Sequence, residues 1–284
     1  MPEQVILEIE NFQKGMEESP ELGFEEVRNV ELESKIGVAK IAYATVKKSG
    51  SLVTALPIQL VRSTLSSGLI YGLDTSGRLY RSSDSGETWN VGTASLTTGA
   101  GIAAWRTPGG TSVLVVTGNG RIDIVSESTF PFVWSTSFQT LVGGSEFLLP
   151  VMVGQDNKVY IGHGRNVATL EEVDGTVFSP AAAATYTFTG TALRLPSHYK
   201  VRTITELGDK VMLGTIRPDN ISSSTGETTI QSSAAADIFP WDRSNKSFFL
   251  PIRLKERGVN ATVTVDNIIY FFAGLEGRCF ATNG

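Results

Sequence analysis

Arginines and acidic pairs are the residues of this chain that could bind and hydrolyse an acidic sugar. The planar guanidinium group can hold both oxygens of a substrate carboxylate, so a cluster of arginines could bind such a ligand. The candidates are Arg62, Arg78, Arg81, Arg121 and Arg202. Glycoside hydrolysis needs two carboxyl groups about 5–10 Å apart across a cleft. The candidates are Asp74, Asp123 and Glu171–Glu172, but they lie in strand or turn patterns, so turn formation is the simpler interpretation.

The sequence gives little evidence for a metal site or a nucleotide-binding site. The chain has two histidines, His163 and His198, and one cysteine, Cys279, without zinc-ligand spacing. Asp156–Asn157 and Asp266–Asn267 lack the dense oxygen ligands of a calcium loop and are typical of hairpin turns. No helix pattern follows Gly162-His163-Gly164 to receive a phosphate. We therefore expect no catalytic residues, no cofactor and no metal.

The most specific short motif is Ser82-Ser83-Asp84-Ser85-Gly86-Glu87-Thr88-Trp89, which reads S-x-D-x-G-x-T-W. The carboxylate of Asp84 can accept hydrogen bonds from backbone N–H groups inside a turn, and Gly86 can adopt a positive φ. We expect Trp89 to bury its ring between sheets. The fixed positions are Ser82, Asp84, Gly86, Thr88 and Trp89. The stretch resembles the Asp-box of sialidase-type β-propellers, which joins the outer two strands of a blade and indicates an architecture, not an activity.

A weak internal repeat supports that architecture. Five times a turn leads into an apolar run, and the equivalent positions are Ile70, Leu114, Val159, Val211 and Ile269. They are separated by 44, 45, 52 and 58 residues, which suits four-stranded blades of roughly 40–50 residues. The sequence therefore predicts an all-β, propeller-like array of four to five antiparallel blades.

Two regions depart from the repeat. Residues 1–50 are richer in Glu and Lys and are interpreted as an N-terminal arm with an entry strand, and residues 51–284 as the propeller. The Ser-, Thr- and Ala-rich stretch at about 219–236 is interpreted as a loop inserted in one blade. Ile268 to Phe280 is interpreted as the first two strands of a last blade. Either the N-terminal strands complete that blade or the chain belongs to something longer.

The amino-acid composition and net charge of the chain limit the kinds of partner that we expect it to bind. The chain has 284 residues, 41% hydrophobic and 19% charged, which is typical of a folded protein. Its net charge of −5 gives no basic footprint for nucleic acid. We expect no sequence-specific nucleic acid and no membrane span, because there is no run of about 18 apolar residues. A single cysteine rules out an internal disulfide, and no signal peptide is visible, so we expect synthesis in a reducing cytoplasm.

Three stretches together are similar to a more specific family. They are Ile9–Met16 with Gly23-Phe24, Arg28–Glu31 and Ile36–Val38; Ala192–Tyr199 with Leu207–Thr215; and Ile238–Asp242 with Gly258–Ala261 and Tyr270–Gly274. The arrangement resembles the tail-associated β-propeller structural proteins of tailed bacteriophages. The resemblance implies a nozzle, hub or adaptor protein of the virion tail, made in the host bacterial cytoplasm. Its implied partners are other copies of itself in a ring and other tail proteins.

Two alternatives remain open at this point. A glycan-binding module for host recognition would use blade loops and an exposed tryptophan, with Trp241 as the candidate contact to a host surface glycan. Trp105, Trp134 and Trp241 are nevertheless more typical of packing between blades. A sialidase-like glycoside hydrolase would use the arginines, but the chain has one Asp-box instead of several.

Overall fold

The computed structural model describes residues 59–92, 96–141, 149–217, 236–244, 246–254, 256, 258–265, 267–274 and 278–282, together with the backbone of 6–8, 30–32, 38–41 and 57–58. The expected inserted loop at about 219–236 lies almost wholly outside these residues. Most of the N-terminal arm also lies outside them.

The described strands form six antiparallel sheets. Strands β1 (Ile6–Glu8), β2 (Val30–Leu32) and β3 (Val38–Ile41) form a separate N-terminal sheet in the order β1-β3-β2. The remaining strands form five sheets in chain order, and these are the blades of a five-bladed β-propeller. The all-β, propeller-like prediction is therefore confirmed, at the upper end of the predicted number of blades.

The blades have the following strands. Blade one contains β4 (Pro57–Arg62), β5 (Ile70–Asp74), β6 (Leu79–Ser82) and β7 (Asn90–Val91). Blade two contains β8 (Gly101–Arg106), β9 (Ser112–Gly118), β10 (Arg121–Ser126) and β11 (Trp134–Thr140). Blade three contains β12 (Val151–Val153), β13 (Val159–His163), β14 (Asn166–Glu172) and β15 (Tyr186–Arg194). Blade four contains β16 (Lys200–Leu207), β17 (Lys210–Ile216), β18 (Asp237–Trp241) and β19 (Ile252–Arg253). Blade five contains β20 (Val259–Val265), β21 (Ile268–Ala273) and β22 (Arg278–Thr282).

Each blade is a meander in which neighbours in sequence are neighbours in the sheet. The first strands of successive blades contact one another, from β4 to β8, β12, β16 and β20, so the first strand is the innermost. The five repeat positions, Ile70, Leu114, Val159, Val211 and Ile269, all lie on second strands. The sequence repeat is therefore the signature of the strand that is covered on both sides by the rest of the blade.

The hydrophobic core is divided among the blade interfaces. One cluster joins blades one and two through Tyr71, Leu73 and Leu114, and a second joins blades two and three around the fully buried Trp105. A third joins blades three and four around Tyr160 and Trp241, and a fourth joins blades four and five. Each interface buries one face of each sheet, which is how stacked antiparallel sheets exclude water.

The interpretation of the C-terminal strands was wrong by one strand. Ile268 to Phe280 contributes the second and third strands of blade five, because Val259–Val265 forms the first. The sequence did not predict that first strand because polar residues alternate with its valines, and most of its residues are exposed. The described residues therefore contain the first three strands of a fifth blade.

Glycine at the contact between blades four and five provides a test of this packing. A Cβ built on Gly214 would lie 2.8 Å from Cγ1 of Val259 and would also clash with Oγ1 of Thr203. We expect Gly214→Ala to lower the free energy of unfolding by about 1–3 kcal/mol, as overpacking does. The measurement is guanidinium denaturation of the full chain.

The matched control is Gly190→Ala in the exposed strand β15, where the new Cβ would be 3.7 Å from Cε1 of Phe188. We expect that variant to unfold like the wild type. Equal stabilities for the two variants would contradict the tight packing at Gly214.

Candidate functional site

The turn after β6 has the hydrogen bonds that its sequence predicts. Oδ1 of Asp84 accepts bonds from Oγ of Ser82 at 2.7 Å and from the backbone N–H of Thr88 at 2.8 Å. Oδ2 of Asp84 accepts from Oγ1 of Thr88 at 2.5 Å, and Oγ of Ser82 accepts from the N–H of Gly86 at 2.7 Å. Gly86 has a φ of 94°, which a residue with a Cβ rarely adopts. The hydrogen bonds, led by that from the Thr88 hydroxyl, lower the pKa of Asp84 from 3.8 to about 2.

The expected burial of Trp89 is not found. Its side chain is only half-buried, and it precedes the two-residue strand β7, whose residues are both exposed. The outermost strand is too short to place the ring beneath a neighbouring sheet. Trp89 instead covers Gly86 near the surface, where a Cβ on the glycine would lie 3.9 Å from Cζ2.

The connections of the blades emerge at two opposite faces. Because successive strands are antiparallel, the loop from strand one to strand two and the loop from strand three to strand four leave from the same face, here called the loop face. In blade one these two loops touch, since the N–H of Ser85 donates to the carbonyl of Gly68 at 3.0 Å. The motif at Ser82–Trp89 therefore lies on the loop face.

Exposed large apolar side chains are concentrated on the loop face. Leu65 lies in the first loop of blade one, and the others lie in third-to-fourth strand loops of blades two, three and four. Their exposures are Leu65 48%, Phe130 38%, Val133 61%, Val177 64%, Phe249 49% and Leu250 88%. Single exposed apolar residues are normal on the surfaces of soluble proteins, but here the same loop exposes them on three successive blades, two, three and four.

Cations accompany both aromatic rings in this set. The guanidinium carbon of Arg81 lies 5.5 Å from the ring centroid of Phe130, and Nζ of Lys210 lies 5.4 Å from that of Phe249. Such cation–π contacts are worth about 0.5–1 kcal/mol at exposed sites. These contacts help to hold the rings of Phe130 and Phe249 at the surface.

The opposite face is different in the described part of the chain. Its connections bring large apolar residues inward, and Leu96, Leu141, Leu149, Leu195, Tyr199 and Leu254 are all buried. None of the large apolar residues recorded as exposed lies in a described connection of that face. Among the described residues, the two faces of the propeller therefore differ in how many large apolar side chains they expose.

Buried carboxylates on the loop face hold neighbouring blades together. Glu127, directly after β10 in blade two, is 2% exposed and accepts from the N–H of Thr64 at 3.1 Å and from Oγ of Ser63 at 2.5 Å, both in blade one. Burial raises the pKa of Glu127, against the lowering effect of these hydrogen bonds. Glu172, at the end of β14 in blade three, accepts in the same way from the N–H of Gly109 in blade two.

At the interface between blades three and four, the glutamate that accepts a backbone N–H lies on the first strand of its blade instead of after or at the end of the third strand. The N–H of Gln155 in blade three donates to both oxygens of Glu206, at 3.1 and 3.0 Å, and Glu206 lies on β16 of blade four. Arg243 of blade four forms an ion pair with Glu206 and lies 5.7 Å from the ring centroid of Tyr160 in blade three. At three successive interfaces, a glutamate of the later blade accepts a backbone N–H from the earlier one.

The acidic residues considered for hydrolysis all have structural contacts. Asp74 accepts from Ser76, from the N–H of Arg78 and from the hydroxyl of Tyr80, at 2.7 to 2.9 Å. Asp123 is fully buried; it pairs with Arg121 at 3.1 Å and accepts from the N–H of Ser137 at 2.7 Å. Glu171 pairs with Lys158, and Glu172 is the interface carboxylate described above.

The arginines considered for substrate binding lie at different levels of the blades. Arg62 and Arg202 lie on innermost strands, Arg78 in a turn, and Arg81 and Arg121 on third strands. Arg121 is paired with Asp123, and Arg81 lies over Phe130. Burial lowers the pKa of Arg202.

The burial of Trp241 contradicts the prediction that its ring contacts a glycan. It is 2% exposed and its ring meets that of Tyr160 edge to face at 5.8 Å, inside the interface between blades three and four. A sugar could not stack on this ring without opening the interface. Trp105 is likewise buried and donates its Nε1–H to the carbonyl of Asn157 at 3.0 Å, and Trp134 is half-buried.

The described residues contain no cluster of side chains typical of a metal site. His163 is buried with Nε2 2.8 Å from the carbonyl oxygen of Gly190, and the ring of His198 lies 4.5 Å from that of Tyr199. Within the described ranges, no three His, Cys, Asp or Glu side chains are grouped as a metal site would require. Within the same ranges, no helix is long and apolar enough to cross a membrane.

The interface glutamates can be tested at Glu172, which is 8% exposed. We expect Glu172→Gln to lower the free energy of unfolding by about 1–3 kcal/mol, because the N–H groups of Gly109 and Phe178 lose a charged acceptor. The control is Glu171→Gln, which breaks only a partly exposed ion pair with Lys158 and should cost less than about 1 kcal/mol. Denaturant titration measures both, and a larger loss for Glu171→Gln would contradict the role of Glu172.

The turn at Asp84 predicts a pH dependence. Its folded pKa is depressed, so its stabilising contribution is present above the usual value of 3.8 and is lost as pH falls towards about 2. We expect Asp84→Asn to lower the thermal midpoint at neutral pH and the gap from wild type to close between pH 3.8 and about 2. Asp209→Asn, in the exposed turn after β16, is the control and should leave the midpoint unchanged. A gap that is constant with pH would argue against this role of Asp84.

Comparisons with known proteins place the chain by its fold alone. No family model matches it, and no curated protein matches it. Among solved structures it is similar to the designed protein Ika8 (TM-score 0.49, 12% identity, 78% of this chain and 57% of that chain). It is also similar to PorZ, a surface component of the type-IX secretion system of Porphyromonas gingivalis (TM-score 0.56, 11% identity, 86% and 35%). A third is an auxiliary nutrient binding protein from Bacteroides ovatus (TM-score 0.50, 14% identity, 86% and 67%). The chain thus spans 57% and 35% of the length of the first two. At 11% and 14% identity, the likeness to the second and third shows the fold alone.

Proposed function

We propose that this protein is a structural component of a bacteriophage tail that acts through assembly with neighbouring subunits. The observation that carries the proposal is the loop face, where apolar side chains from four blades are exposed on one side of the propeller. Exposed apolar patches of this kind mark contacts with other proteins more often than catalytic clefts, which are concave. The resemblance of three sequence stretches to tail-associated propellers supplies the virion context.

The use of the charged residues also supports a structural role. The carboxylates that could have served in hydrolysis accept backbone N–H groups or pair with cations inside the blades or between them. These contacts make the propeller a rigid support for its loops. A rigid support reduces the conformational entropy lost when subunits associate.

Copies of this chain are the first partners to test. In a ring, a part of the loop face of one copy would contact a different part of the next copy, since head-to-tail contacts close into rings. Val177, Phe249 and Leu250 project from adjacent blades three and four. Val177 and Leu250 have the two largest exposures among the apolar residues of the loop face, 64% and 88%.

The proposal predicts a discrete oligomer that depends on these residues. We expect the full chain to elute as a defined assembly heavier than the 30.5 kDa monomer in light scattering on a sizing column. The double variant Val177→Asp with Leu250→Asp should shift the mass to that of the monomer, because charge replaces the apolar contact. Thr136→Asp, exposed on β11, is the control and should leave the assembly intact. A wild-type monomer at all concentrations would contradict self-assembly through this face.

A further inference from the structure

Blade five differs from the other blades in how its second strand is covered. Every residue of β9 and of β13 is buried, and β17 is buried except for its first residue. In β21 the burial alternates, with Ile269, Phe271 and Ala273 buried and the residues between them half-exposed. One face of blade five is therefore packed on blade four, and the other face has no comparable cover from the described residues.

The uncovered face of blade five is apolar, and we call it the open face. Strand pairing aligns its residues in three rows across β20, β21 and β22. The rows are Ala261, Phe272 and Cys279; Val263, Tyr270 and Ala281; and Val265 with Ile268. Val263 and Val265 are 44% and 43% exposed. An antiparallel sheet that faces water normally carries polar residues on that side, so this composition indicates that the open face is meant to be covered.

A second, small sheet of the same chain is a candidate cover. Among the described residues, the main strand contacts of β1, β2 and β3 are with one another, and these strands have only three or four residues each. A sheet with an apolar face buries that face against a second layer. The strands contain Ile6, Leu7, Val30, Leu32, Val38 and Ile41, so apolar residues are available for such a layer.

We propose that the N-terminal sheet β1–β3 packs on the open face of blade five and fills the place between the last blade and the first. The chain order favours this occupant, because β3 is followed by blade one after the fifteen residues 42–56. A linker of that length reaches at most about 50 Å, and a ring brings the last blade back towards the first. The layer would be a sheet-on-sheet contact about 10 Å deep, like the four interfaces within the propeller.

The covalent tether makes this occupant stronger than a second copy. A segment joined by a short linker has an effective concentration in the millimolar range, well above that of a second molecule in ordinary solutions. The inference goes beyond the proposed function and does not depend on it, since it concerns the blade-five face and not the loop face.

Cys279 provides a direct test because it is the single cysteine of the chain and lies exposed on the open face. If the N-terminal sheet covers that face, the thiol of the native full chain should react with a maleimide roughly tenfold or more slowly than in the unfolded chain. The rate should not depend on protein concentration. Rapid labelling in the native chain would overturn the proposal, and protection that is lost on dilution would assign the face to a second copy instead.

Two substitutions on β2 identify the covering segment. Leu32→Asp should raise the labelling rate of Cys279 towards that of the unfolded chain, because a charge disfavours the apolar layer. Glu31→Gln, the matched control on the same strand, should leave the rate unchanged. All four tryptophans lie in the blades, so unchanged tryptophan fluorescence verifies that the blades remain folded in both variants. A slow rate that persists in Leu32→Asp would overturn the assignment to this sheet.

A short cross-linker between a thiol and an amine gives a second, positive readout. Applied to the wild-type chain, it should join Cys279 to a lysine of the N-terminal region, such as Lys40 on β3, within one polypeptide. Peptide mass spectrometry with a mixture of isotopically light and heavy protein separates links within a chain from links between chains. Links from Cys279 only to lysines of other blades, or only between chains, would contradict the proposal.

Discussion

The burial of both faces of the second strand in blades one to four is the constraint on which the rest of the structure depends. A sheet of four short strands is not stable while one of its apolar faces is in water, so each blade needs a neighbour on each side. The four core clusters between blades satisfy that need from Tyr71 in blade one to Phe271 in blade five. The loops are then held by sheets that cannot move independently.

Hydrogen bonds between blades fix the alignment of sheets that pack through their apolar faces. Apolar faces can slide over one another, but a glutamate that accepts a particular backbone N–H fixes the height at which two blades meet. Glu127, Glu172 and Glu206 do this at three successive interfaces. Because Glu127 and Glu172 are almost fully buried, misplacing the donor would leave a desolvated acceptor without its partner, and that cost discriminates against other alignments.

The sequence predicted the features that depend on local pattern. The apolar runs around Ile70, Leu114, Val159, Val211 and Ile269 indicated the blades, since a buried second strand has a near-continuous apolar sequence. Ser82–Trp89 predicted that the Asp84 carboxylate accepts a backbone N–H inside its own turn, because both partners lie within a few residues. The first strand of blade five was not predicted because Asn260, Thr262 and Thr264 interrupt its apolar residues.

Features that depend on tertiary contacts could not be predicted from the sequence. Whether Trp241 is buried and Trp89 half-exposed depends on the length of the neighbouring strands, which no local pattern gives. The pairing of Glu172 with Gly109, 63 residues away, has no signature beyond a glutamate after an apolar strand. The loop face also required the structure, since the sequence does not show that Val177 is exposed while the adjacent Phe178 is buried, or that Leu250 is exposed.

The direction of the glutamate contacts bears on how the protein is made. Each glutamate lies in a later blade and accepts from the blade before it, so blades one, two and three each depend on the next blade for one of these contacts. As the chain leaves the ribosome N-terminus first, blade one stays incomplete until Glu127 emerges, and blade two until Glu172 emerges. Biosynthesis would therefore complete the propeller in the order of translation, one blade behind the growing end.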